Sequence, residues 1–453
     1  LPAVGHEAGR NWSASGLPVA NGDGPAKLAG TLRLTRPDLL VRVALFFLYL
    51  GMFFLPMIQI KFTHSRSVSD VFFSLSALLL VLSIRQPLRA PKTTAWFFGA
   101  FLVTVGGMLS SVNASSTLGS LQVVSNGIFV LIVWQWSTRQ LLDVPLRTQS
   151  AMSAYAFGTT VSAAVAIIQQ VGHTNLGFHP ASGATTRAVG LAQQPNVAGV
   201  TFGLAVVFLI GLIFARGLGR FQHRLVFLLV LGLALMFTGS VSGMASVLVG
   251  TFLLLLLRGF GIRKVLVAAI VIVGVYLGGT HLEGHGKQNL NPFARLAATT
   301  GQNTGYNTVD TRIATIKNAW TGIQKSPIIG HGLDAESSIT YVDPYIAGGT
   351  PYPTHDFFLL LWYEGGIFLL LGVGIAMASA LSRLLRRPRD PTKDTLLAGV
   401  VVLLIYAVQA PELFDRWLWL PFVLAMTLRP KVSPAPSERF QLAAKGNPVP
   451  GPN

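Results

Sequence analysis

The sequence predicts an all-α polytopic membrane protein with about 12 transmembrane helices and one large loop set late in the chain. Three observations carry that expectation. The chain is 51% hydrophobic and only 11% charged, with a mean hydropathy of +0.56, which sets it apart from soluble domains. Its apolar runs approach the length needed to cross a bilayer, and short Arg/Lys clusters separate them. One long polar interval, 280–354, interrupts the pattern. The net charge of +17 would fit a nucleic-acid binder, but the basic residues sit between apolar runs and form no single stripe. There is no cysteine, which excludes disulfides and thiolate chemistry.

Residues 1–38 form a Gly-, Ala- and Ser-rich lead without the apolar core of a signal peptide, and read as a cytoplasmic segment or as appended sequence. Spans one to nine occupy 39–279, at 39–60, 68–84, 94–110, 118–136, 151–171, 195–215, 225–237, 244–257 and 265–279. The large loop follows at 280–354, then spans ten to twelve within 355–427, at 355–381, 396–410 and 413–427. A Pro-rich tail, 428–453, closes the chain. The links after the even-numbered spans are rich in Arg and Lys, so the positive-inside rule puts them and both termini in the cytoplasm. The large loop, the 172–187 link and the 238–243 turn then share the outer face.

Three outer segments carry candidate chemistry. In the first, Arg187 precedes Gln193, Gln194, Pro195 and Asn196 at the entry to the sixth span. A snorkelling arginine at a helix end gives the same pattern. In the second, Val309, Ile313, Ile316, Trp320 and Ile323 recur at helical spacing, with Asp310 as N-cap and Lys325-Ser326-Pro327 as the stop. Arg312 then stands in the first turn, where free N–H groups and the helix dipole favour an anion. A Gly-rich turn with His331 between Gly330 and Gly332 follows, fit equally for turn filling or chemistry.

The third segment is Tyr352 to Gly366. His355 stands at the mouth of the tenth span, with Leu359, Trp362 and Gly366 on its stripe. Gly366 would let a neighbouring helix approach closely. Glu364, roughly 13 Å deeper and about half a circumference round, is a poor partner for His355. Asp356 and Tyr352 are nearer groups to orient the imidazole. The dispersed Glu283, Asp310, Asp334, Glu336 and Asp343 form no tight cluster, so no metal or other cofactor is expected.

With these residues in view, the chain resembles the O-antigen ligase family, within a superfamily that includes O-antigen polymerases. The family pattern is a His, a small polar residue, nine residues and a Gly: here His355, Asp356, Phe357 to Gly365, then Gly366. Asp356 stands where Asn, Ser or Gln is usual. The family's two essential arginines map onto Arg187 and Arg312. Its frequent Ser-Arg pair after the seventh span is absent, the turn carrying Thr238, Ser240, Ser242 and Gly243.

The resemblance implies a GT-C-like bundle in a bacterial inner membrane, with a large periplasmic loop containing short helices and no metal. It implies inverting transfer of a polysaccharide from undecaprenyl pyrophosphate to a sugar hydroxyl of lipid A–core. His355 would be the general base, Arg187 and Arg312 would hold the donor pyrophosphate, and Asp356, Tyr352, His331 and Asn196 could support them. Two other readings stay open: a polymerase extending the undecaprenyl-linked glycan, and a polysaccharide transporter or flippase. The short Pro-rich tail argues against a protein O-oligosaccharyltransferase.

Overall fold

A computed structural model describes residues 36–428 apart from 64–65, 84–93, 143, 173, 175–186, 193, 217–220, 264–265, 267–307, 335, 344–349, 387 and 409–412. The expected ninth span, Glu283, most of the 172–187 link, the lead and the tail lie outside the described residues.

The apolar runs become helices: α1 Arg36–Phe54, α2 Val68–Ser83, α3 Thr94–Ser110, α4 Thr117–Leu141, α5 Pro145–Gly172, α6 Pro195–Arg216, α7 Phe221–Thr238 and α8 Val241–Leu257. After the long interval come α9 Thr308–Lys325, α10 Phe357–Leu385, α11 Pro391–Ala407 and α12 Arg416–Thr427. By length and composition α4, α5, α6 and α10 can each cross a membrane, and several shorter apolar helices accompany them. This is a mostly helical membrane protein.

The described structure departs from an all-helical reading in two antiparallel hairpins, β1 (Lys61–Thr63) with β2 (Arg66–Ser67), and β3 (Ile339–Asp343) with β4 (Thr350–Pro353). Both occupy polar links, and β3 is built from the β-branched and aromatic residues that favour strands. The part of the large loop that is described holds this hairpin and the 18-residue α9. Helix α9 starts two residues before the expected cap, so Asp310 lies inside it and Arg312 is in its second turn, past the free N–H groups. The predicted stop at Lys325 holds.

Long-range bonds show which helix ends lie together. The Gln59 N–H after α1 donates to the Leu191 carbonyl before α6 at 3.0 Å. Asp70 at the start of α2 pairs with Arg416 at the start of α12, Nε to Oδ1 2.8 Å. Asp334 of the loop accepts from Ser115 Oγ at 2.8 Å and the Ser116 N–H at 2.9 Å, in the α3–α4 link. Leu360 and Glu364 of α10 line one cavity with Arg416. One end of the bundle therefore gathers the entries to α2, α4, α6, α10 and α12. The other end is tied by Arg216 Nε to Gln149 Oε1 (3.1 Å), Arg258 to Asp394 (3.2 Å) and Arg383 Nη1 to the Met426 carbonyl (3.1 Å). The chain leaves α8 at this second end and re-enters through α9 and α10 at the first.

Helices α3 and α10 meet along small residues: a Cβ on Gly99 would stand 2.6 Å from the Gly372 carbonyl oxygen. Helix α10 is also broken. Gly366 has φ 66° and ψ −168°, so the stripe expected from His355 to Gly366 does not exist as one continuous helical face. The freed backbone groups are taken up by the turn at 327–332. His331 N–H donates to the Tyr363 carbonyl at 3.0 Å, Gly332 N–H to the Glu364 carbonyl at 2.9 Å, and Ile367 N–H to the Pro327 carbonyl at 3.1 Å. The close approach expected at Gly366 is therefore made by a loop, not by a helix.

Gly366 occupies a backbone region open to glycine almost alone, and a Cβ there would collide with the Ile328 carbonyl. Gly366→Ala is therefore expected to cost at least about 1–3 kcal/mol and to lower the unfolding temperature of the detergent-purified protein in a thermal scan. A Tm equal to that of the unsubstituted protein would mean the break carries no strain.

Candidate functional site

Thr354, Thr315 and Arg312 build the approach to His355. Thr354 is buried, and its Oγ1 donates to the Thr315 carbonyl of α9 at 3.2 Å. Thr315 Oγ1 in turn donates to the Arg312 carbonyl at 2.8 Å. Asn318 Nδ2 donates to the Thr340 carbonyl at 2.9 Å, tying α9 to the hairpin that leads into His355. Through these bonds Arg312 stands close enough to His355 for its charge to act on the imidazole.

The His355 ring is held by backbone. Its Nδ1 lies 3.1 Å from the Pro353 carbonyl oxygen. A carbonyl can only accept, so Nδ1 carries the proton and Nε2 of the neutral ring keeps its lone pair. Burial, with the Arg312 guanidinium beside it, pushes the imidazole below its ordinary pKa of 6.5, against the opposite pull of the Pro353 carbonyl. At neutral pH the ring is thus a neutral base with a fixed tautomer.

The two groups expected to orient this ring stand as follows. Asp356 is the N-cap of α10, its Oδ1 accepting the Leu359 N–H at 2.7 Å. The Tyr352 ring lies tilted beside His355, centroids 6.2 Å apart. His331 is stacked on Tyr363 at 4.6 Å, and its Nε2 donates to the Gly322 carbonyl at 2.9 Å, so it pins the turn against α9 and α10. Glu364 bonds Ser338 through Oε1.

Arg187 belongs to a second group at the same end of the bundle. Its Nε donates to the Thr238 carbonyl at the C-terminus of α7 (2.6 Å), and its Nη2 donates to Asn196 Oδ1 (3.0 Å). Asn196 Oδ1 also accepts from Ser240 Oγ at 3.2 Å, and Ser240 caps α8. The segment behind Arg187 is buried and irregular, its Gly190 N–H bonded to Gln169 Oε1 at 2.8 Å and its Leu191 N–H to Ser162 Oγ at 2.9 Å. The turn 238–243, which lacks the arginine of the family pattern, nevertheless supplies both Thr238 and Ser240 to this group. Neither has a role in the sequence reading: Thr238 contributes a backbone atom, which no residue type signals, while a serine before an apolar run is the one local sign of the Ser240 cap.

The arrangement can do one thing chemically. A neutral imidazole nitrogen can take a proton beside a guanidinium able to hold a phosphate. Among the described residues no group of three His, Asp or Glu side chains is placed to hold a metal ion.

Residues 225–374 match a family model described as O-antigen ligase. The match includes Arg312 and His355 and leaves Arg187 upstream. No curated protein matches the chain.

An NMR titration of the His355 imidazole should give a pKa below 6.5, and Arg312→Ala should move it upward, because a neighbouring cation disfavours the imidazolium. A downward or absent movement in that variant would break the coupling of the two residues.

Proposed function

We propose, from the match of residues 225–374 to the O-antigen ligase family model, that this chain is an O-antigen ligase of the bacterial inner membrane. It transfers a polysaccharide from undecaprenyl pyrophosphate to a sugar hydroxyl of lipid A–core. The family implies a membrane glycosyltransferase-like enzyme of ligase or polymerase type. The observation that carries the residue assignment is the fixed tautomer of His355 next to Arg312.

The step balances as follows. His355 Nε2 takes the proton of the acceptor hydroxyl while its oxygen attacks the anomeric carbon of the donor. The bond from that carbon to the phosphate oxygen breaks, and its electron pair leaves on undecaprenyl pyrophosphate. Direct displacement inverts the anomeric centre. Arg312 and Arg187 neutralise the leaving pyrophosphate with charge-assisted bonds. Asn196 holds the Arg187 guanidinium, while Asp356, Tyr352 and His331 support the local frame.

In this reading the end of the bundle that holds His355 and Arg187 faces the periplasm, and the end tied by Arg216, Arg258 and Arg383 faces the cytoplasm, as the positive-inside rule requires. Both termini are cytoplasmic. The change of ends between α8 and α9 supports a ninth crossing at 265–279, and so twelve spans with one large periplasmic loop at 280–354.

The deciding experiment is a reaction of purified protein with lipid-linked donor and lipid A–core acceptor. Glycan on lipid A–core supports the ligase, and longer chains still on undecaprenyl would make it a polymerase. In the same assay His355→Ala should lose about 10²–10⁴-fold in rate while staying folded. Arg187→Ala and Arg312→Ala should weaken binding of undecaprenyl pyrophosphate, and an unchanged titration in both would remove the arginines from the donor site.

A further inference from the structure

A cavity of about 670 Å³, lined in part by Pro353, opens between α4, α10, the start of α12 and the loop. Glu364 lines it from within α10 and is only 2% exposed. Its Oε1 is bonded by Ser338 Oγ, but its Oε2 has no hydrogen-bond partner. A buried carboxylate oxygen left unmatched is costly unless a ligand supplies the missing donor.

Of the other acidic groups around the cavity, Glu336 is exposed to solvent, while Asp334 and Asp415 have partners. Both oxygens of Asp334 accept from Ser115, Ser116 and Ser337, and these bonds hold its carboxyl well below the usual range against the upward push of burial. Asp415 Oδ2 accepts from Trp417 Nε1 at 3.2 Å. Arg416 and Asn126, bonded to each other, also line the cavity, so its one buried oxygen without a partner is Glu364 Oε2, beside apolar walls from Leu360, Leu413 and Phe414. A bare cation needs several converging oxygens. A purely apolar ligand would leave Oε2 unmatched. A pyranose ring matches both features, with a C–H face for the apolar wall and a hydroxyl edge for the carboxylate.

We infer that this cavity is a sugar-binding subsite in which Glu364 Oε2 forms a hydrogen bond with a hydroxyl of the bound ring. Its neighbour is the reacting centre, because Pro353 lines the cavity while its carbonyl holds the His355 imidazole. The choice of a saccharide rests on the ligase reading. The sugar belongs either to the acceptor core or to the donor glycan, and both present the same chemistry.

The test is binding in the absence of any reaction. Purified full-length protein in detergent is titrated with delipidated core oligosaccharide and, separately, with polysaccharide freed of undecaprenyl pyrophosphate. One of the two should bind, which names the source. Glu364→Gln, which keeps the shape, should weaken that binding roughly 10-fold or more. Leu413→Trp, which fills the cavity from another element, should abolish it. A thermal scan checks that both variants are folded. Binding of neither saccharide, or equal affinity in Glu364→Gln, overturns the inference. Binding that survives in a protein unable to transfer glycan would instead defeat the ligase assignment and leave the subsite standing.

Discussion

A helix that breaks inside an apolar bundle must have its opened backbone groups satisfied by protein, because the bilayer core supplies no water. Each such group left bare costs roughly 2–7 kcal/mol. In α10 the break at Gly366 exposes the carbonyls of Tyr363 and Glu364 and the Ile367 N–H, and the 327–332 turn meets all three. The Pro327 carbonyl also accepts from Trp362 Nε1 at 3.0 Å, so both its lone pairs are used. Much else follows from this docking. It presses α9 against α10, stacks His331 on Tyr363, and sets Glu364 toward its cavity.

The site itself is assembled mostly by backbone and by small hydroxyls. Pro353 fixes the imidazole tautomer, and Thr354 and Thr315 connect it to the helix bearing Arg312. Arg187 serves two roles at once. Its bond to the Thr238 carbonyl closes the C-terminus of α7, a structural duty, and its Nη2 bond to Asn196 fixes where the guanidinium points. In the proposed donor-binding role such anchoring is an advantage, because less side-chain freedom is lost when an anion arrives.

Legibility from sequence followed the range of the interaction. The spans of α5, α6 and α10 were visible because apolar runs are local, and their ends shifted only by the few residues that capping decides. Asp356 is instructive: an acidic residue just before an apolar run is an N-cap signal, yet its place beside His355 drew attention to the imidazole instead. Gly366 reads as a surface for helix packing because its pattern extends a helix through it. Nothing local reveals that a turn some 30 residues earlier would occupy the break. The partner of His355 is a carbonyl, which every residue has, so residue types could not single it out. The cavity at Glu364 draws on α4, the loop and α12, and such convergence is invisible before the chain folds.

The docked turn also has a consequence in time. The chain is made from its N-terminus, so Pro327 to Gly332 emerge before Tyr363 to Ile367. The segment that completes α10 already exists when α10 is made, but it must fold back onto the helix. Completion of this helix and folding of the preceding loop are thus one event in biogenesis. A delay in folding the loop would leave α10 with open backbone groups, even with every span of normal hydrophobicity.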